Sequence, residues 1–282
     1  MIYLERAPLA PLNQHVRLLW YTQAPNVPHR RERVLPSGCV QVILNLARDF
    51  LLDCPENDPE RRMAPSLVVG ARSVYEIVDS SDMVELIGIA FHPAGFAAFA
   101  PDAVDTFSNQ SFSLEDVWGS RARTLRDRLR EAPTMEEKFR ILEEFLLESL
   151  VARFRPNRLV QFALGRFGQS PLVASVQEVA KETGWSMRYF SQTFREQVGL
   201  APKVWCRIQR FQRVVQQLHA GADVPWAELA LDCGYYDQAH FANEFRAFSG
   251  IDATSYSARR TQWDRPGLDR PAEPGPRRPA RR

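Results

Sequence analysis

This sequence lacks paired cysteines, long apolar runs and catalytic signatures. Its four cysteines, Cys39, Cys54, Cys206 and Cys233, are scattered and form no C-x-x-C spacing. That argues against a zinc ribbon or a disulfide framework and is met most simply by reduced thiols. The most apolar stretch, Ile87 to Ala100, is broken by His92 and Pro93 and falls short of the roughly 20 apolar residues that a membrane helix needs. The first residues carry Glu5, Arg6, Pro8 and Pro11 instead of a signal-type apolar core, so the expected compartment is the cytoplasm, with no membrane partner. No nucleophile motif, phosphate-binding glycine loop or catalytic pair of carboxylates occurs. The front half holds only three histidines, His15, His29 and His92, with no H-x-H pair and no obvious carboxylate partner. No catalytic residue, metal site or cofactor is therefore expected, and the chain is not read as an enzyme.

What is present is an ordinary globular composition, 45% hydrophobic and 25% charged, over 282 residues, a length that suggests two domains. The net charge of +2 is unevenly spread. Residues 1–156 hold 18 Lys and Arg against 22 Asp and Glu, whereas residues 157–260 hold 12 against 9 and residues 261–282 hold 6 against 3. A basic back half suggests a polyanionic partner.

The first hundred residues read as short strands between turn formers: Val16–Thr22, Val40–Leu46, Phe50–Asp53, Leu67–Gly70, Val74–Val78 and Val84–Phe91. Pro93–Phe99 reads as a short helix. Strands without intervening amphipathic helices favour a small antiparallel barrel or sandwich. From Ser113 the period changes. Ser113-x-x-Asp116 and Thr134-x-x-Glu137 resemble capping boxes, and they open helices expected over 113–131 and 134–153. An all-helical region follows Pro156. The fold class expected is thus α+β in two domains. Its parts are a β-rich sensor or dimerisation domain (1–112), a helical connector (113–156), a helical domain (157–261) and a disordered Pro/Arg-rich tail (262–282).

One internal repeat runs through the helical part. Ala180, Gly184, Phe190, Phe194, Gly199 and Trp205 recur as Ala230, Gly234, Phe241, Phe245, Gly250 and Tyr256. The offset is 50 as far as the glycine turn and 51 beyond it, so one residue is inserted in the second turn. Each copy makes sense as helix, tight turn, helix. The alanine permits close helix approach, and the glycine tolerates the left-handed conformation. The phenylalanines, four apart, put an aromatic stripe on the buried face. The opposite faces carry Arg188, Ser191, Gln192 and Arg195 in the first copy, and Gln238, Ala242, Asn243 and Arg246 in the second. Those residue types suit base edges and phosphates better than an inert helical surface. Between the copies, Val204, Ile208, Phe211, Val215 and Leu218 stripe a helix expected over Pro202–His219. Eighteen residues span about 27 Å, a spacer suited to two reading helices about 34 Å apart.

Residues 158–260 resemble the DNA-binding domain of the AraC/XylS family of bacterial transcription regulators. The second copy carries the family signature through Ala230, Gly234, Tyr235, Asp237, Phe241, Phe245 and Gly250, while Ala253 stands where the family usually has Pro. The resemblance implies seven helices, with reading helices beginning near Ser186 and Gln238. It implies base contacts from Arg188, Ser191, Gln192, Gln238, Ala239 and Asn243. It also implies a transcription regulator acting on double-stranded DNA, with a cupin-like front domain that admits a small-molecule effector, a second copy of the chain and RNA polymerase as partners. The segments 36–46 and 87–99 resemble a subgroup of these regulators. The ligand-binding residues are unknown at this level. The competing reading is a cupin-like metalloenzyme domain fused to a DNA-binding domain.

Overall fold

The computed structural model describes residues 2–24, 31–53, 61–81, 83–150, 157–169, 175–221 and 225–259. The tail from residue 260 and His29 lie outside them. The strand-rich part forms two antiparallel sheets. Strands β1 (Ile2–Arg6), β2 (Val16–Gln23), β4 (Gln41–Asn45), β7 (Ser66–Val69), β9 (Glu85–Phe91) and β10 (Ser111–Ser113) make one, in the order β1-β2-β9-β4-β7-β10. Strands β3 (Arg31–Val34), β5 (Leu51–Asp53), β6 (Arg61–Met63) and β8 (Glu76–Asp79) make the other, in the order β3-β8-β5-β6. Among the described residues both sheets stay open and close no barrel, which is the sandwich form of the expectation.

Alternation along the strands assigns the two faces of the larger sheet. Leu19, Tyr21, Val42, Leu44, Val68, Ile87 and Ile89 point into the main core, under the helices. Trp20, Leu67 and Leu86 point the other way and meet Leu51 of the second sheet. Trp20 opposes Gly88, where an added Cβ would stand 2.3 Å from the indole, so only glycine fits beneath that ring.

The six expected strands form within a residue or two of their places. The sequence did not signal β1, β3, β6 and β10. All four lie at sheet edges, and β1, β3 and β6 carry arginines that mask an apolar period but suit an edge open to water. The segment expected as a helix over 93–99 is a 3-10 turn, Gly95–Ala98.

The helix expected over 113–131 is divided into α1 (Leu114–Trp118) and α2 (Ser120–Glu131), because Gly119 between them lies at φ +65. Ser113 accepts from the Glu115 amide and Thr134 from the Glu137 amide. Thr134 thereby opens α3 (Met135–Ser149). The expected continuation of α3 past residue 150 lies outside the described residues. The α2–α3 pair is pinned to the larger sheet by the buried Arg126, whose Nε donates to the Asn45 carbonyl at 2.7 Å. An isolated buried guanidinium would be costly, so this bond and the Asp49 carboxylate at 2.8 Å keep it compensated.

The helical part contains α4 (Arg158–Gln169), α5 (Val176–Glu182), α6 (Met187–Val198), α7 (Pro202–His219), α8 (Trp226–Asp232), α9 (Gln238–Ser249) and α10 (Ala253–Arg259). Among the described residues these number seven, as the resemblance implies, and α10 begins at Ala253 itself. One buried apolar cluster runs unbroken from Leu12 in the front to Tyr256 in α10.

A tandem helix-turn-helix and its outward face

Each unit is built by the same local chemistry. Ser175 and Glu178 form a reciprocal capping box that starts α5. Gly184 at φ +75 and Gly234 at φ +83 then make the turns. The Ser186 hydroxyl accepts from the Tyr189 amide to start α6, and the Asp237 carboxylate accepts from the His240 amide at 2.7 Å to start α9. Gly199 and Gly250, both left-handed, end them. Phe190, Phe194, Phe241 and Phe245 are fully buried. Phe194 meets Phe167 and Trp205 at 6.0 and 6.1 Å between ring centroids, and Phe245 meets Phe211 at 5.2 Å.

A helix with those phenylalanines inward must turn its other side out. Arg188, Gln192 and Arg195 are exposed on α6, with Ser191 half-buried at the margin. Gln238, Ala239, Ala242, Asn243 and Arg246 are exposed on α9. The eight residues expected on the outward faces, and Ala239 from the resemblance, therefore lie on two repeat-related helices. Three features of these faces were not expected. Gln192 donates to Glu196 at 2.9 Å, so α6 also shows a carboxylate. Arg195 is ion-paired at 3.0 Å to Asp105 of the front part. On α9, Glu244 is buried and bound to Arg207 and Arg210 of α7 at 2.5 and 3.6 Å, which ties the second unit to the spacer. No spacing rule flags a buried Glu beside Asn243; only its partners on α7 do.

The spacer α7 has the bounds expected, with Pro202 at its first turn. Its inward side carries Ile208, Phe211, Val214, Val215 and Leu218. The buried Gln212 on it donates to the Pro36 carbonyl at 2.6 Å.

The carboxy-terminal ends of both outward-facing helices rest on the front part. The Ser108 hydroxyl donates to the Gly199 carbonyl, and Arg33 donates to the Ser249 carbonyl at 2.6 Å. Helix ends leave carbonyls without partners, and here side chains from the front part supply the donors.

Among the described residues, no three His, Cys, Asp or Glu side chains gather as a cation site. Burial holds His15 toward its neutral form, and burial together with the Arg17 charge does the same for His92. Cys206 and Cys233 are free thiols, and burial pushes Cys206 up to about 12. No described helix is long and apolar enough to cross a membrane.

Two capped, repeat-related units flanking one spacer define a helix-turn-helix DNA-binding protein. Residues 179–259 match the family described as a helix-turn-helix domain, and residues 4–113 match a domain of unknown function (DUF6597). The chain thus carries an AraC-type helix-turn-helix domain at its carboxy terminus. No curated protein matches the chain. Among solved structures, the carboxy-terminal domain of AraT, a response regulator from Geobacillus stearothermophilus, is 21% identical over 38% of this chain and 90% of its own, with a TM-score of 0.36. A DNA-binding transcriptional dual regulator from Escherichia coli K-12 is 20% identical over 38% of this chain and 100% of its own, with a TM-score of 0.32. ToxT from Vibrio cholerae is 7% identical over 91% of this chain and 98% of its own, with a TM-score of 0.47.

Proposed function

We propose that this protein is a sequence-specific transcription regulator that lays α6 and α9 in successive major grooves of double-stranded DNA. The observation that carries this reading is the pair of outward faces, repeated across a rigid 18-residue spacer and rich in the side chains that read bases. In this reading Arg188, Ser191 and Gln192 read bases from the first unit, and Gln238, Ala239, Ala242 and Asn243 from the second. Arg195 and Arg246 meet phosphates. The test is a gel shift with the full chain. Preference for particular promoter fragments, lost steeply as salt rises, is the expected result. Equal binding to promoter and random duplexes would refute sequence-specific reading.

Residues 1–112 with the connector 113–156 are the part we assign to effector sensing or self-association, with RNA polymerase as a further partner of the assembled complex. The contacts that end α6 and α9 support this assignment, since a change in the front part would reach both helices. The proposal requires a protein with no catalytic role, working in the cytoplasm. Metal analysis of the purified chain discriminates against the metalloenzyme alternative, which demands a stoichiometric ion.

The Arg195–Asp105 pair yields a specific expectation. Asp105 competes with phosphate for Arg195 and also places a negative charge beside the DNA. Replacing it by Asn should raise affinity for all sequences alike, by up to about fivefold, since an ion pair whose arginine lies mostly in water is worth about 1 kcal/mol. The dependence on salt should steepen as well. Titration of a specific and a random duplex across salt concentrations checks both; unchanged affinity would mean Arg195 does not approach the backbone.

A further inference from the structure

The structure resolves which of two adjacent tyrosines repeats Trp185. Counting back 51 residues from the cap of α9 pairs Asp237 with Ser186 and Tyr236 with Trp185. Tyr235 is the inserted residue and turns inward, against Phe241 at 5.4 Å. Tyr236 turns outward and is 87% exposed, while Trp185 is 57% exposed. Both units thus hold a bare aromatic ring immediately before the capped start of the outward-facing helix.

The match extends one turn further. Trp185 lies against Tyr189, with ring centroids 4.7 Å apart and planes inclined by 36°. The residue repeating Tyr189 is His240, whose Nδ1 accepts from the Tyr236 amide at 3.5 Å. Each unit therefore carries two rings at its exposed start, one before the cap and one on the first turn. A helix turning 100° per residue sets Tyr189 beside Arg188 but on the flank away from Ser191, at the margin of the outward face. Single exposed apolar residues are common and need no explanation. Two repeat-related exposed rings, Trp185 and Tyr236, bordering the faces that bear Arg188 and Asn243 form a pattern; the units differ in that Trp185 stacks on Tyr189, whereas the His240 ring packs on the inward Tyr235 at 5.4 Å.

We propose that Trp185 and Tyr236 pack edge or face against the deoxyribose wall of the major groove, one exposed ring at each half-site. This rests on the reading of α6 and α9 as DNA-facing helices and adds a contact class to it. The starts of such helices lie closest to the groove, so a ring just before the cap meets the sugar–phosphate rim and not the paired bases, which remain stacked. The sugar face is apolar and nearly independent of sequence. Burying a ring on it removes apolar area from water without neutralising a phosphate. The rings therefore supply affinity that salt does not screen, alongside arginines whose contribution salt does screen. The first unit, with Trp185 stacked on Tyr189, presents the larger and more rigid surface.

The experiment compares the full chain with Trp185→Ala, Tyr236→Ala, Trp185→Phe and Tyr236→Phe on one high-affinity duplex over a range of salt. Each alanine variant should bind about tenfold more weakly, with the slope of log K against log salt unchanged and the same preferred sequence. The phenylalanine variants should recover most of the loss. Hydroxyl-radical footprints should lose protection at sugars on one edge of a single half-site, a different half-site for each position. Thermal unfolding should be unaltered, because both rings lie largely in water. If wild type binds specifically but the alanine variants match it in affinity and footprint, the ring contact is refuted while the DNA reading stands. Loss of transcription with DNA binding intact refutes it too and would assign the rings to a protein partner. A wild type with no sequence preference refutes the underlying reading as well.

Discussion

Arg188→Ala should lower affinity for the preferred site about tenfold to a hundredfold and broaden the base accepted at one position. Arg188 is exposed on the first turn of α6, with Phe190 and Phe194 fixing the opposite side in the core. A guanidinium there can donate twice to a guanine edge, and such a contact is worth about 1–3 kcal/mol of discrimination. Arg246→Ala on α9 should behave differently, weakening every duplex and reducing the salt slope, since phosphates carry no sequence information. Ala239, which repeats Arg188, and Ala242, which repeats Ser191, offer only methyl contacts, so the second unit is expected to read less sharply than the first. A binding-site selection with wild type and both variants checks this. An unchanged selected motif with Arg188→Ala, together with uniform loss in both variants, would show that α6 does not present Arg188 to base edges.

Gly250→Ala should destabilise the fold by about 2–4 kcal/mol and loosen α9 from the front part. Gly250 ends α9 at φ +74, a conformation an alanine adopts only under strain. An added Cβ would also stand 2.4 Å from the Tyr75 ring and 2.5 Å from Arg33, the side chain that donates to the Ser249 carbonyl. Either the ring or that hydrogen bond must give way. Gly184→Ala is the internal control, because Gly184 has a similar φ of +75 but nothing within 4 Å of the added carbon. Denaturant unfolding should therefore show Gly184→Ala losing only the backbone strain of about 1–2 kcal/mol. Equal losses at the two glycines would contradict the docking of α9 on Tyr75 and Arg33.

Much of the outward-facing surface could be read from the repeat. Phenylalanines four apart fix which side of a helix is buried, and the remaining residues follow from 100° per residue. The stripe on Pro202–His219 likewise set the bounds of α7, because its apolar period starts at a first-turn proline and stops beside Gly221. The strands were legible where apolar residues alternate or run together, as in β2, β4 and β9. They were illegible where arginine supplied the exposed positions, as in β3 and β6, since such a segment forms only by pairing with a neighbour. The broken helix at Gly119 was missed because a single glycine within a helical period costs only about 1 kcal/mol and need not interrupt it.

The two helix-turn-helix units, their buried faces, the spacer and the residue types turned outward all follow from periods within about fifty residues of chain. Tertiary structure alone decided where the front part rests. Arg33 and Ser249 are 216 positions apart, and Ser108 and Gly199 are 91 apart. No local period relates such pairs. Their meeting depends on the packing of the β sheets against the helix ends, where carbonyls without helical partners take the donors that the folded chain brings to them. The same packing placed Asp105 beside Arg195. Tyr235 took its inward place within the helical part itself, on Phe241 and His240 and under Arg210 of α7.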